Sequence, residues 1–312
     1  MLTQYLVRKL ALFVPTLLLV SAIIFGLIRA IPGDPALLMV GDLQSPEVVE
    51  QVRREMGLDR PLIVQYGLWL RDLLTGDWGV SLRTDEPVLE LLVRRFQVTA
   101  VVVVCAVSAA AVIGGALGVY AAFRQGRWAD RLISALAISI VSTPAFWIGL
   151  ILLYVFAISL GWLPVIGYAP QAEATGIAPF VLPIATLILT ESAAVARITR
   201  ATTLEVMTAD YVTYARAKGF GERTVMFKHV LKNAAAPTLT LIGLLLGNLL
   251  GGAAVIETVF TLLGLGSALV EAIYARDYPV IQGALVFITC AYLLVNLAVD
   301  LIYPLLDPRV KL

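Results

Sequence analysis

The 312-residue chain is 60% hydrophobic and 14% charged, with a mean hydropathy of +0.90. Soluble domains run at about 45–50% apolar and about 25% charged, so a pair of soluble domains is excluded and most of the chain belongs in lipid. A net charge of +1 gives no electrostatic basis for binding nucleic acid or an acidic substrate.

In chain order, Arg8 and Lys9 precede Leu10 to Ile28, an uncharged stretch of 19 residues. It is longer than the apolar core of a secretion signal and no small-residue cleavage site follows, so it reads as a retained first span. Residues 30–95 read as a small external helical region. Ser45 caps a helix with Pro46 in its first turn and Gly57 at its end, and Pro61 opens a second helix. Gly76-Asp77-Trp78-Gly79 forms a turn, and Pro87 opens a third helix leading into the second span.

A helix crossing about 30 Å of hydrocarbon needs about 20 apolar residues, because lipid satisfies no backbone group. Five further runs qualify: Phe96 to Phe123, Leu132 to about Leu160, Ala174 to Ala196, Asn233 to Ile256 and Tyr278 to Val299. Pro144 should kink the third span. Beyond it Gly161, Pro164, Gly167 and Pro170 break the chain, and Trp162 and Tyr168 suit a membrane interface. The expected fold is therefore an all-α integral membrane protein of six spans, one domain over 1–312.

Lys and Arg set the orientation. They gather at Arg8, Lys9, Arg309 and Lys311, at Arg124, Arg127 and Arg131, and at seven positions between Arg197 and Lys232. Residues 161–178 contain none and 258–277 only Arg276. Both termini and the 197–232 loop are expected on the cytoplasmic side.

Chemistry is scarce. No lysine follows a glycine, so no phosphate-cradling loop exists, and His229 is the sole histidine, too few for a zinc site or a hydrolytic triad. Cys105 and Cys290 lie in apolar runs and read as small core residues. The informative segment is the loop from Thr203 to Gly221. Leu204, Met207, Tyr211 and Tyr214 or Ala215 recur at helical spacing, Gly219 and Gly221 bracket Phe220, and a second amphipathic helix runs from Glu222 to Asn233. Such a helix–bend–helix can enter a groove on a soluble partner. By pattern alone it can equally pack on its own bundle or lie on anionic headgroups.

Tyr211-Val-Thr-Tyr-Ala-Arg-Ala-Lys-Gly219, with His229-Val-Leu-Lys-Asn233-Ala-Ala-Ala-Pro237, resembles the coupling loop of permeases in the dipeptide/oligopeptide/nickel branch of ABC importers. Pro32-Gly-Asp-Pro-Ala36, Met56-Gly-Leu-Asp-Arg-Pro61, Gly76-Asp-Trp-Gly-Val-Ser81, Arg276-Asp-Tyr-Pro-Val-Ile-Gln282, Asn296-Leu-Ala-Val-Asp300 and Leu306-Asp-Pro-Arg309 carry the same likeness along the chain. Thr213, Tyr214 and Ala215 stand where the wider family has Glu-Ala-Ala, which narrows the likeness to the peptide branch. Thr261-Leu-Leu-Gly-Leu-Gly266 lacks the Trp-Pro that often precedes Gly-Leu-Gly there.

The resemblance implies a type I importer permease fold, a second homologous permease, two cytoplasmic ATPases and an external solute-binding protein. It implies no cofactor on this chain, with ATP and magnesium held by the ATPases. Asp210, Tyr214, Ala215, Arg216, Ala217, Lys218, Gly219, Phe220 and Gly221 would form the ATPase contact, and residues 30–95 and 258–277 would meet the binding protein. The cargo would be dipeptides, oligopeptides or glutathione-like solutes, with nickel chelates as the alternative. An ion-coupled carrier is the rival in another class, against which six spans without a visible repeat weigh.

Within the spans, Glu191 is either a pathway-lining acid or a helix-end acid paired with Arg197 or a neighbouring helix. Asn248 joins it as a candidate pathway residue. Gly243, Gly247 and Gly251 on span five, and Gly114 with Gly118 on span two, make small faces for close helix packing. Arg29, Glu257 and Asp300 are expected at span ends, in the interface. His229 is expected to be a solvated loop residue.

Overall fold

Residues 2–30, 46–55, 57–165 and 176–306 are described by the structure, a computed structural model. Expectations for Pro32–Ala36, Ser45, Met56, Gly167, Tyr168, Pro170, Arg309 and Lys311 lie outside them.

The elements are α1 (Leu2–Ala30), α2 (Pro46–Glu55), α3 (Leu62–Thr75), α4 (Val88–Phe123), α5 (Trp128–Val141), α6 (Ala145–Ser159), α7 (Ala178–Met207) and α8 (Asp210–Ala217). After them come α9 (Glu222–Gly252), α10 (Ala254–Val259), α11 (Leu265–Ala275) and α12 (Tyr278–Leu306). The punctuation follows backbone chemistry. Gly57 and Gly76 stop α2 and α3 at φ of +64° and +89°, values that cost glycine little. Pro61 and Pro87 precede α3 and α4, where a missing N–H costs nothing.

Five helices, α1, α4, α7, α9 and α12, are long and apolar enough to cross a membrane. The sixth crossing is α5 plus α6, which meet at 99°. The kink expected at Pro144 is thus a break. Pro144 has no N–H to bond back to α5, and its ψ of 133° is extended, so no helical hydrogen bond spans the junction. Two smaller departures concern helix ends. α7 continues eleven residues past the expected end at Ala196, and α9 ends at Gly252, with α10 a separate short helix reaching beyond Ile256.

Helices α4 and α7 form the spine. A Cβ at Gly114 would stand 2.5 Å from the Ser192 carbonyl oxygen, and one at Gly118 would stand 2.5 Å from that of Ala196, so two glycines one turn apart let the backbones touch. Gly243 and Gly247 on α9 instead make room for the side chains of Val299 and Tyr292 on α12, and Gly251 lies in ordinary contact range of Ile288. Val102, Ala106, Leu187, Phe260 and Leu262 form one buried cluster, and Val88, Leu92, Leu265, Ile281 and Ala284 another.

Two further expectations are corrected. Cys105 is exposed on α4 and belongs to no core, because it sits off the face that meets α7. Glu257, expected in the interface, is fully buried. Thr99 Oγ1 donates to its carboxylate at 2.5 Å and the Ser267 N–H at 2.8 Å, while Thr99 in turn accepts from Leu265 N–H at 2.8 Å. These bonds replace the water the acid has lost and tie α10 and α11 to α4. At the same end of the bundle, Ser81 Oγ donates to the buried Asp277 at 2.6 Å. The Arg94 guanidinium there holds the Glu86 carboxyl below the usual carboxylate range.

Candidate functional site in the bent loop between the fourth and fifth spans

The loop begins where α7 ends. Thr208 folds back to Glu205 through both its N–H and its hydroxyl, and Ala209 turns the chain at ψ 144°. The helix expected to carry a single apolar stripe from Leu204 to Tyr214 or Ala215 is therefore broken in two, and the stripe is redrawn. Val212 and Ala215 of α8 pack with Val225 and Val230 of α9, while Met207 and Tyr211 lie alongside. Tyr214 points out, 63% exposed.

Gly219 closes α8 in the left-handed region at φ +81°. Its N–H bonds to Arg216 C=O at 2.9 Å and the Phe220 N–H to Ala215 C=O at 3.4 Å, the paired bonds of a Schellman C-cap. A Cβ at Gly219 would meet nothing within 4 Å, so glycine is required there by conformation alone. Gly221 then adopts φ −61°, ψ 146°, and its carbonyl accepts from Thr224 and Val225 to start α9. Asp210 sits in the first turn of α8, where a carboxylate complements the helix dipole.

Val212 and Ala215 on one arm and Val225 and Val230 on the other hold this V rigid, and its outer surface carries aromatic side chains. Phe220 is half exposed and Phe227 is 71% exposed. Lys218 Nζ lies 4.7 Å from the centre of the Tyr214 ring, and Arg216 bridges the bend to Glu222 at 3.0 Å. His229 is partly exposed in the π-helical turn Val225–Leu231 of the loop's second helix, its ring 6.1 Å from that of Phe220. Phe227 is the residue that sequence reading missed. Its signal was present, since burying Val225 and Val230 turns the residues between them outward.

Behind the V, Asp130 at the start of α5 receives two hydrogen bonds from Arg200 of α7, at 2.5 and 2.9 Å, and one from the Gly126 N–H. Asp130 is almost fully buried. This pair joins the 124–127 loop to the helix that carries the V. The remaining candidates are apart from it. Glu191, midway along α7, has no hydrogen-bond or ionic partner among the described residues, Arg197 included, and Asn248 is exposed on α9.

Six crossings of lipid with a rigid, aromatic-tipped V at one end define a multi-pass helical membrane protein of permease build. The chain belongs to the family of binding-protein-dependent transport system inner membrane components, whose model matches residues 114–312. The companion N-terminal model of these membrane components matches residues 1–103. The chain is 39% identical to the dipeptide transport system permease protein of Alkalihalophilus pseudofirmus, over 98% of this chain and 99% of that one. It is also 39% identical to the glutathione transport system permease protein of Escherichia coli K12, over 99% of both. Among solved structures, an amino acid ABC transporter crystallised with histidines shares the fold, with a TM-score of 0.50 at 20% identity, covering 71% of this chain and 95% of that one. This protein is a permease subunit of an ABC importer and works as one component of a larger transporter.

Proposed function

We propose that this subunit forms, with a second homologous permease, the pathway of an ATP-driven importer for dipeptides, oligopeptides or solutes of glutathione size. Two ATPases, holding ATP and magnesium, dock on Asp210 and on Tyr214 to Gly221, and Phe227 extends their footprint. An external binding protein delivers cargo to the outer mouth of the pathway, touching the chain within residues 30–95 and 258–277. The arginine and lysine distribution supports both termini and the V lying in the cytoplasm of a bacterial or archaeal cell, with the bundle in its cytoplasmic membrane.

The observation that carries this reading is the V itself. Exposed aromatics on a rigid, internally bonded frame are the anchors that soluble partners bury. A flexible loop would waste the stroke. The names of the relatives support peptide-sized cargo.

The test is uptake of labelled dipeptide by the reconstituted complex carrying Phe220→Ala. Removing a buried anchor costs about 2 kcal/mol, a factor of about thirty in partner affinity. Uptake and cargo-stimulated ATP hydrolysis should fall together while membrane insertion and the yield of subunit stay normal. Undiminished uptake in a Phe220→Ala, Phe227→Ala double variant refutes the docking assignment.

A further inference from the structure

Helix α3 lies over the seam between α1 and α12 and leaves a cleft beneath it. The cleft has a volume of about 330 Å³ and is walled by Val14, Leu17, Leu73, Trp78 and Val286 among others. We propose that this cleft is a built binding site for one acyl chain of a membrane phospholipid.

The roof is fixed. Tyr66 Oη of α3 lies 2.8 Å from Ser21 Oγ and donates to the Leu18 carbonyl at 3.2 Å. Phe25, Tyr66 and Trp69 stack beside them, with ring centres 5.6 to 6.1 Å apart. The cleft is held open by these contacts and is not slack between loose helices.

Its lining excludes water. The hydroxyls in the wall are those of Ser21 and Thr289, and both already bond within their own helices, Ser21 to Leu18 at 2.9 Å and Thr289 to Leu285 at 2.8 Å. A buried water needs two to four polar partners, so this space is dry unless an apolar group fills it. A cavity of about 150 Å³ already accepts benzene, and this one is about twice that size.

Depth selects the occupant. Along α1 the wall runs from Val14 to Ile24, within the apolar stretch Ala11–Ala30, and on α12 it includes Cys290, near the middle of Tyr278–Val299. That is hydrocarbon depth, and by the 1.5 Å rise of a helix the wall is about 15 Å long. The mouth is continuous with outward-facing apolar side chains on α1. Val14 and Leu18 in the wall are exposed, as are Leu12, Leu19, Ile23 and Leu27 around it, so a chain enters sideways from the bilayer. Elongated, dry and open to lipid, the cleft fits a hydrocarbon chain. A peptide brings backbone groups that these walls leave unsatisfied.

The experiment uses the assembled transporter in vesicles of phosphatidylcholine carrying a diazirine midway along one acyl chain. After illumination, adducts are mapped by mass spectrometry. Labelling at Leu70–Trp78 and Val286–Cys290 should exceed that at Leu12, Leu19, Ile23 and Leu27, which face outward and lie off the cleft wall, by about tenfold, equivalent to 1.4 kcal/mol of preference. Val286→Trp, which fills the cleft, should remove the excess and leave those four positions unchanged. A diazirine on the headgroup should miss Val286–Cys290, which keeps the test decisive if the tryptophan variant fails to assemble. Uniform labelling of the apolar surface overturns the proposal. So does absence of label in the cleft because the second permease covers it, or loss of label when dipeptide is added.

Discussion

Adding one methyl group at Gly114 tests whether the α4–α7 spine is set by backbone contact. The new Cβ would sit 2.5 Å from Ser192 O and 2.8 Å from Val195 Cβ, where ordinary contacts begin at 3.4 Å. The helices must therefore part by about 0.9 Å, the difference between 3.4 and 2.5 Å. Overpacking of this kind costs about 1–3 kcal/mol. Gly118→Ala, facing Ala196 O and Thr199 Cβ, should cost a similar amount. Because one shift relieves both, the double variant should cost less than the sum. Gly115 is the internal control: a Cβ there meets nothing within 4 Å, and alanine in a helix interior gains about 0.5–1 kcal/mol over glycine. Reversible unfolding of the purified subunit in mixed micelles, followed by circular dichroism against added SDS, reads all four. Gly114→Ala and Gly115→Ala should move in opposite directions. A shift of the same sign and size for both would refute the close-contact argument.

Three other outcomes follow from the same geometry. Arg200→Met strands the buried Asp130 carboxylate and should cost about 3–5 kcal/mol, while Asp130→Asn with Arg200→Met should cost clearly less than the two singles together. Additive losses in that cycle would show that the pair is not coupled. Glu257→Gln keeps one acceptor but turns an NH₂ towards a donor, so about 1–3 kcal/mol is lost and hydrogen exchange over 257–267 rises. Gly264→Ala should mimic it, because its Cβ would collide with the Glu257 carboxyl group, and protection left intact in both variants would contradict the staple. Glu191→Gln should lower dipeptide uptake with assembly unchanged, since the acid has no partner within the described residues and the Arg197 pairing is absent. Uptake at the wild-type level would remove it from the pathway.

The linear chain determined what depends on local composition. The length of each apolar run fixed the crossings, because a backbone in lipid bonds only to itself. Gly57, Pro61, Gly76, Pro87 and Gly219 punctuate the helices because φ and the N–H are properties of single residues. The V around Phe220 was legible for the same reason.

Tertiary packing decided the rest. Hydropathy averages a segment and says nothing of its lateral neighbours, so it could not reveal the 99° break at Pro144 or the extension of α7 to Met207. Glu257 looked like an interfacial acid until Thr99, 158 positions away, was folded against it. Tyr214 and Ala215 were equal members of one stripe until the packing of α8 on α9 buried one and exposed the other. Which face of a helix is inside is a question about its neighbours, and those are supplied by distant parts of the chain.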